Sequence, residues 1–157
     1  MEIITFVVYL SVYLGLISTS FYVLTYINAN KKQSPQFTDK ELPTVTIIIP
    51  AYNEENTIKQ TIKSILQSNY PKEFEVIVID DGSKDNTLKL ARQVKDKRVQ
   101  VFTKPNGGKG SALNLGISKA KGEIIFTMDA DTYVDKNSLQ RMVRYFKNPE
   151  VMAVTPA

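Results

Sequence analysis

The hydrophobic rhythm of the chain changes twice. From Ile3 to Ala29 there is no charged residue, and apolar side chains fall on every face of a helix drawn through the run. At ~1.5 Å per residue such a helix crosses a hydrocarbon core of ~30 Å with some tilt. Tyr26 sits where an interfacial aromatic belongs, and Lys31 and Lys32 follow directly, so the positive-inside rule puts the remainder in the cytoplasm. A cleaved signal peptide fits less well, because Glu2 replaces the usual basic start and no small-x-small cleavage site stands out. Residues 3–29 therefore read as a single-pass signal anchor in the cell membrane. The stretch that follows is polar, holds two prolines and lacks a hydrophobic period, which makes 30–43 a linker.

From residue 44 to 157 short β-branched runs alternate with segments of helical period. Thr44-Val-Thr-Ile-Ile-Ile49 suits a strand buried on both faces and ends at Pro50. A helix follows from about Asn56 to Ser68, with Ile58, Ile62, Ile65 and Leu66 at helical spacing and Asn53 or Asn56 as its cap. Glu75-Val-Ile-Val-Ile-Asp80 repeats the strand pattern, and a helix capped by Asp85 or Asn86 runs through about Lys95. Val99-Gln-Val-Phe102 predicts a shorter strand, and the next helix runs from about Ser111 to Lys119, stopped near Gly122. Ile124 to Met128 forms a fourth strand. A helix from about Asn137 to Phe146 turns Leu139, Met142, Val143 and Phe146 inward, and Val151-Met-Ala-Val154 starts another strand. This alternation predicts an α/β domain, a mainly parallel sheet with helices on both faces.

Composition narrows the chemistry. With 157 residues, 43% hydrophobic and 23% charged, the chain can bury one real core beside the anchor. There is no Cys and no His, which removes disulfides, thiolate nucleophiles, imidazole bases and N/S zinc sites. Any metal must be held by oxygen, and any proton transfer must use Asp, Glu, Lys, Tyr or water. The net charge of +4 comes without a long basic run or basic-aromatic interleaving, so membrane or phosphate affinity is expected and nucleic acid is not a partner.

Polar clusters follow successive strands. Tyr52, Asn53, Glu54 and Glu55 come after the first, Asp80 and Asp81 after the second, a glycine-rich loop with Lys109 after the third, and Asp129 and Asp131 after the fourth. Ligands of an α/β sheet collect beyond the carboxyl ends of its strands. There a carboxylate can accept hydrogen bonds from a base or a ribose, and a Tyr ring offers its face to a base. Lys109 and the loop N–H groups suit phosphate oxygens, and Asp129-Ala-Asp131 offers hard oxygen ligands to Mg²⁺ or Mn²⁺. A D-x-D alone is weak, since Asp is common in turns; the joint arrangement carries the weight. A P-loop is excluded because Thr103 stands at its first glycine and Gly110 follows Lys109, and no G-x-G-x-x-G follows the first strand. The early glycine-rich basic loop of a nucleotidyltransferase is missing too.

Four stretches carry a resemblance: Ile47-Ile-Ile-Pro-Ala-Tyr-Asn-Glu-Glu55, Val76-Ile-Val-Ile-Asp-Asp-Gly-Ser-Lys-Asp-Asn-Thr87, Asn106-Gly-Gly-Lys-Gly-Ser-Ala-Leu-Asn-Leu-Gly116 and Met128-Asp-Ala-Asp-Thr132. In order and spacing they resemble the family-2 glycosyltransferases, and the likeness covers about residues 44–157. It implies a Rossmann-like GT-A fold and transfer of a sugar, with inversion, from a nucleotide-sugar, commonly with Mg²⁺ or Mn²⁺. By position, Tyr52 and Glu54 would meet the base and ribose, and Asp81, with Asp80 beside it, resembles the uracil-reading carboxylate. Lys109 would lie near the diphosphate, Asp131 would be the main metal ligand, and Asp129 would hold the metal and the sugar or ribose side. The anchor and the Lys109-to-Asn114 segment are similar to processive polysaccharide synthases, which implies a UDP-sugar donor and a growing glycan or lipid acceptor. The family's base and its Gln-x-x-Arg-Trp motif are expected beyond Ala157, so the chain reads as the donor-binding half. The alternative is a catalytically silent donor-binding module that acts with a second synthase subunit.

Overall fold

The structure, a computed structural model, describes residues 2–31 and 41–155. An apolar helix α1 (Glu2–Lys31) comes first. Then follow β1 (Val45–Ala51), α2 (Ile58–Leu66), β2 (Phe74–Asp80), α3 (Thr87–Arg92), β3 (Val99–Thr103), α4 (Lys109–Lys119), β4 (Ile124–Thr127) and α5 (Ser138–Val143), which runs into a 3-10 turn (Arg144–Lys147).

The helix α1 belongs to a unit of its own. Its stretch Glu2–Ile27 covers 26 residues. At ~1.5 Å per residue that is about 39 Å, so the helix is long and apolar enough to cross a membrane. Thr19 and Thr25 donate their hydroxyls to the carbonyls of Gly15 and Phe21, each at 2.8 Å. Those polar groups are thereby satisfied inside the helix. The expected linker over 30–43 lies largely outside the described residues.

The second unit is built on a four-stranded sheet in the order β3-β2-β1-β4, with every pairing parallel. β1 and β2 lie in the middle, and their continuous β-branched sequences are buried on both faces: Ile47, Ile48, Ile49, Val76, Ile77, Val78 and Ile79 are at most 2% exposed. On one face Ile47, Ile49, Val76 and Val78 meet Ile58, Ile62 and Ile65 of α2, Ala91 of α3 and Leu139 and Val143 of α5. On the other, Ile48, Ile77 and Ile79 pack with Ala112 of α4. At ~25 cal/mol per Å² of apolar area removed from water, each fully buried Ile contributes roughly 2 to 3 kcal/mol.

Several expected boundaries shift, each for a local reason. β1 continues through Pro50 to Ala51 instead of ending at Ile49. Ile48 accepts from Met128 N on the β4 side, while Ala51 accepts from Asp81 N on the β2 side. Pro50, of the same parity as Ile48, thus turns its missing N–H toward β4, past the end of that ladder. α3 ends at Arg92, short of the expected Lys95. The chain leaves the helix so that Asp96 can take the N–H and guanidinium of Arg98 at 2.9 to 3.0 Å. Asn53 and Asn56 do not cap α2, whose N-cap is Thr57 without a side-chain bond. The expected strand at 151–154 does not form: Val151 N donates back to Asn148 O, and no ladder joins it to β4. Residues 151–155 instead line an apolar groove of about 780 Å³ beside β4 and α5.

Candidate functional site

The chain proceeds from β1 outward to β2 and β3, then crosses back to lay β4 on the other side of β1. The reversal leaves a crevice beyond the carboxyl ends of β1 and β4, the place where open α/β sheets bind ligands. A cleft of about 290 Å³ opens there. Tyr52, Glu54, Asp81, Lys109, Asp129 and Asp131 line it together with Ala112 and Ala130. Of the seven side chains to which the resemblance gives a binding role, only Asp80 is not among these lining residues; Asn53 and Glu55 of the first polar cluster do not line it either. Asp80 is 2% exposed, and its carboxylate accepts from Thr103 Oγ1 at 2.8 Å and from Ser83 N at 3.4 Å.

The β1–α2 loop gains its shape from the β2–α3 loop. Asn53 adopts φ 56°, a left-handed conformation that Asn tolerates better than most residues. Its N–H donates to Ser83 Oγ at 3.0 Å while its own Oδ1 accepts from Lys84 N at 2.8 Å. Glu54 N donates to Thr87 Oγ1 at 2.7 Å and Glu55 N to Asp85 Oδ2 at 3.1 Å. Asp85 also accepts the N–H and hydroxyl of Thr87 at the start of α3, although the residue in the N-cap position is Asn86, whose side chain makes no capping bond. Burial raises the Asp85 carboxyl, but the Thr87 hydroxyl and the N–H groups of Thr87 and Glu55 outweigh it and hold the group below its ordinary value. The Glu55 carboxylate is spent on Asn86 N and Nδ2 at 2.9 and 3.0 Å. That leaves Tyr52, 44% exposed, and Glu54 to face the cleft. Thr57 Oγ1 holds Glu54 Oε2 at 2.9 Å.

Asp81 is the most enclosed acidic group of the cleft, 3% exposed. It accepts from Lys104 Nζ at 2.5 Å, Gly107 N at 3.0 Å and Gly108 N at 2.7 Å. These donors take three of the roughly four acceptor directions a carboxylate offers. Burial raises its pKa, and the Lys104 ammonium with the two N–H groups more than reverses that, leaving Asp81 below the ordinary carboxylate value. Gly108 has φ +84° and opens α4 as its N-cap. A Cβ at that angle would be strained, so glycine lets the loop turn its N–H groups onto Asp81. Lys104 lay unremarked in the sequence, since a lysine ahead of a glycine loop gives no sign of the carboxylate it will meet.

Across the cleft Lys109, the first residue of α4, pairs with Asp129, and both side chains are more than half exposed. Asp129 and Asp131 flank Ala130, which is 4% exposed and packs in the core. The small middle residue turns inward and leaves both carboxylates in the cleft wall. This is a hard, all-oxygen donor set, the kind that suits Mg²⁺ or Mn²⁺. Among the described residues no cluster of three or more His, Cys, Asp or Glu side chains gathers into a metal cage, so a cation here would need further oxygens from its ligand or from water.

Residues 46–157 match the family described as Glycosyl transferase family 2. The poly-beta-1,6-N-acetyl-D-glucosamine synthase of Staphylococcus aureus is 36% identical over 151 residues, which cover 94% of this chain and 36% of the synthase. A probable glycosyltransferase of Bacillus subtilis, YdaM, is 38% identical over 118 residues, 71% of this chain and 28% of that protein. The chain thus spans about a third of the length of the curated relatives it matches. Among solved structures, mannosyltransferase PcManGT from Pyrobaculum calidifontis, in complex with GDP-Man and Mn²⁺, superimposes with a TM-score of 0.69 at 29% identity, over 88% of this chain and 44% of that one. Staphylococcus aureus TarS 1-349 in complex with UDP-GlcNAc gives 0.59 at 34% identity, over 62% of this chain and 29% of that one.

Proposed function

The chain belongs to glycosyl transferase family 2, and from that premise we propose that residues 44–157 form the donor-binding part of a membrane-anchored glycosyltransferase that takes a UDP-sugar. The observation that carries the reading is the convergence of Tyr52, Glu54, Asp81, Lys109, Asp129 and Asp131 on one cleft at the switch point of the sheet. Two similar proteins favour N-acetylglucosamine as the sugar, one a poly-beta-1,6-N-acetyl-D-glucosamine synthase and the other solved with UDP-GlcNAc.

In this reading Tyr52 and Glu54 receive the base and ribose at the mouth, and Asp81 bounds the base side through its remaining acceptor direction. Asp80 acts behind Asp81, holding the end of β2 to Thr103. Lys109 and the first N–H groups of α4 draw the diphosphate toward the far wall. Asp131, with Asp129, holds Mg²⁺ or Mn²⁺, whose charge would neutralise the diphosphate as it becomes a leaving group. The transfer itself joins an acceptor hydroxyl oxygen to the anomeric carbon with inversion while the bond to the diphosphate breaks, and the hydroxyl proton passes to a base. That base is assigned to no residue here. The acceptor is a growing glycan or a lipid, α1 anchors the enzyme in the cell membrane over 3–29, 30–43 links it, and Lys31 and Lys32 keep the domain cytoplasmic.

Calorimetric titration of the full chain in detergent with UDP and GDP, with and without Mn²⁺, tests the reading. UDP binding that strengthens with Mn²⁺, and loses that gain in Asp131→Asn, is the expected result. A folded chain that binds neither nucleotide would overturn it.

A further inference from the structure

We propose that Thr61, on the buried face of α2, is a positioning residue that sets the direction of Asp131 by holding the peptide group between Ala130 and Asp131. The inference rests on the reading of Asp131 as a metal ligand. Thr61 is fully buried, and its hydroxyl donates to Ala130 O at 2.7 Å across 69 residues of sequence.

A threonine within a helix ordinarily returns its hydroxyl to the carbonyl one turn back. Thr19 and Thr25 of this chain do so; Thr61 reaches out of its helix instead. Its acceptor lies in a planar unit that also contains the N–H and Cα of Asp131, so fixing the carbonyl fixes the plane from which the Asp131 side chain departs. The neighbouring contacts restrain the turn without touching that plane. Met128 N donates to Ile48 O at 3.0 Å and Thr132 N to Asp129 O at 3.2 Å. Farther along, Gln60 meets the Tyr133 hydroxyl, Val134 N donates to Ser64 Oγ at 3.4 Å, and Asn69 N donates to Lys136 O at 2.8 Å. α2 and the turn that follows it are therefore a rail along which residues 130–136 are hung, and Thr61 is the contact beside the carboxylates.

UDP titrations of the full chain in detergent, with and without Mn²⁺, separate this role from a merely structural one. In Thr61→Val, which keeps the shape and removes the donor, the gain in UDP affinity on adding Mn²⁺ is expected to shrink about five- to tenfold, the worth of one lost hydrogen bond. UDP affinity without metal is expected to stay unchanged, and Thr61→Ser to restore the gain. If Thr61→Val does not fold, Thr61→Ala removes the same donor with a smaller side chain. A folded donor-less variant with the wild-type Mn²⁺ gain, or one that loses metal-free binding equally, would overturn the proposal alone. A wild-type chain whose UDP affinity ignores Mn²⁺ would overturn the metal reading beneath it, and the proposal with it.

Discussion

Lys104 Nζ stands 2.5 Å from Asp81 Oδ1, with side-chain exposures of only 18% and 5%. The contact ties the residue just after β3 to the residue just after β2. Gly107 and Gly108 close on the same carboxylate through their N–H groups. One enclosed charge thus holds the base of the loop that delivers Lys109 to the cleft.

Removing the cation should therefore cost more than removing the charge pair. In Lys104→Met the Asp81 charge keeps only two backbone donors, and a buried charge deprived of its partner costs about 3 kcal/mol. In Lys104→Met combined with Asp81→Asn no charge is stranded, so the loss should be smaller. Urea unfolding of the two variants measures the difference. Equal losses would mean that the charge does not organise the loop.

Acid should weaken the domain in a defined window. Asp96 is held down to about 2 by its hydrogen bonds with the Arg98 side chain and N–H, against an ordinary 3.8; Asp81 is lowered as well. A folded-state pKa below the unfolded one contributes stability that is complete above the unfolded value and is lost as pH falls through the folded value. Stability should thus decline between pH of about 4 and 2, and Asp96→Asn should flatten the decline. Tyr70 moves oppositely: burial and then the Glu123 charge push it up to about 12, so its contribution fades as pH rises from 10 toward 12. Urea midpoints across pH check both limbs.

Two glycines should respond differently to alanine. A Cβ at Gly122 would meet Thr46 N at 2.4 Å and the Val45 carbonyl carbon at 2.6 Å. Both are backbone atoms of β1 and cannot step aside. A Cβ at Gly116 would meet Ile48 Cγ2 at 2.4 Å, a side-chain atom that can move at a cost of about 1 to 3 kcal/mol. Gly122→Ala should be the more destabilising in thermal melts; the reverse order would mean that the α4–β4 turn yields more readily than the core.

The sheet and the cleft were legible because they rest on local pattern. The β-branched runs at 45–49 and 75–80 announce central strands, and strand ends of a parallel sheet share an edge, so Tyr52, Asp81, Lys109 and Asp131 could be gathered without coordinates. What escaped depends on partners far apart in sequence. Val151 to Val154 has the composition of a strand but no ladder to join among the described residues. Thr61 looks like one more polar position on α2, and only its contact with Ala130, 69 residues away, distinguishes it. Asp80 and Asp81 are chemically identical neighbours at the carboxyl end of β2, Asp80 its last residue and Asp81 the first beyond it; the strand pattern alone does not tell which one the cleft receives.

The ion pair of Lys109 with Asp129 should matter to binding and hardly at all to stability. Both side chains are more than half exposed, and exposed pairs contribute about 0 to 1 kcal/mol and are screened by salt. Lys109→Ala should therefore leave the melting temperature nearly unchanged. Its ammonium nevertheless lies in the cleft against Asp129, one of the two carboxylates proposed to hold the metal, where a diphosphate would bring two or more negative charges. With the diphosphate bound, Lys109 should exchange Asp129 for phosphate oxygens, which frees Asp129 to face the cation. The variant is then expected to weaken UDP binding about tenfold, while uridine, lacking the phosphates, binds as before. Raising the salt concentration should narrow the gap between wild type and variant. If uridine and UDP lose affinity equally, Lys109 shapes the cleft and does not hold the phosphates.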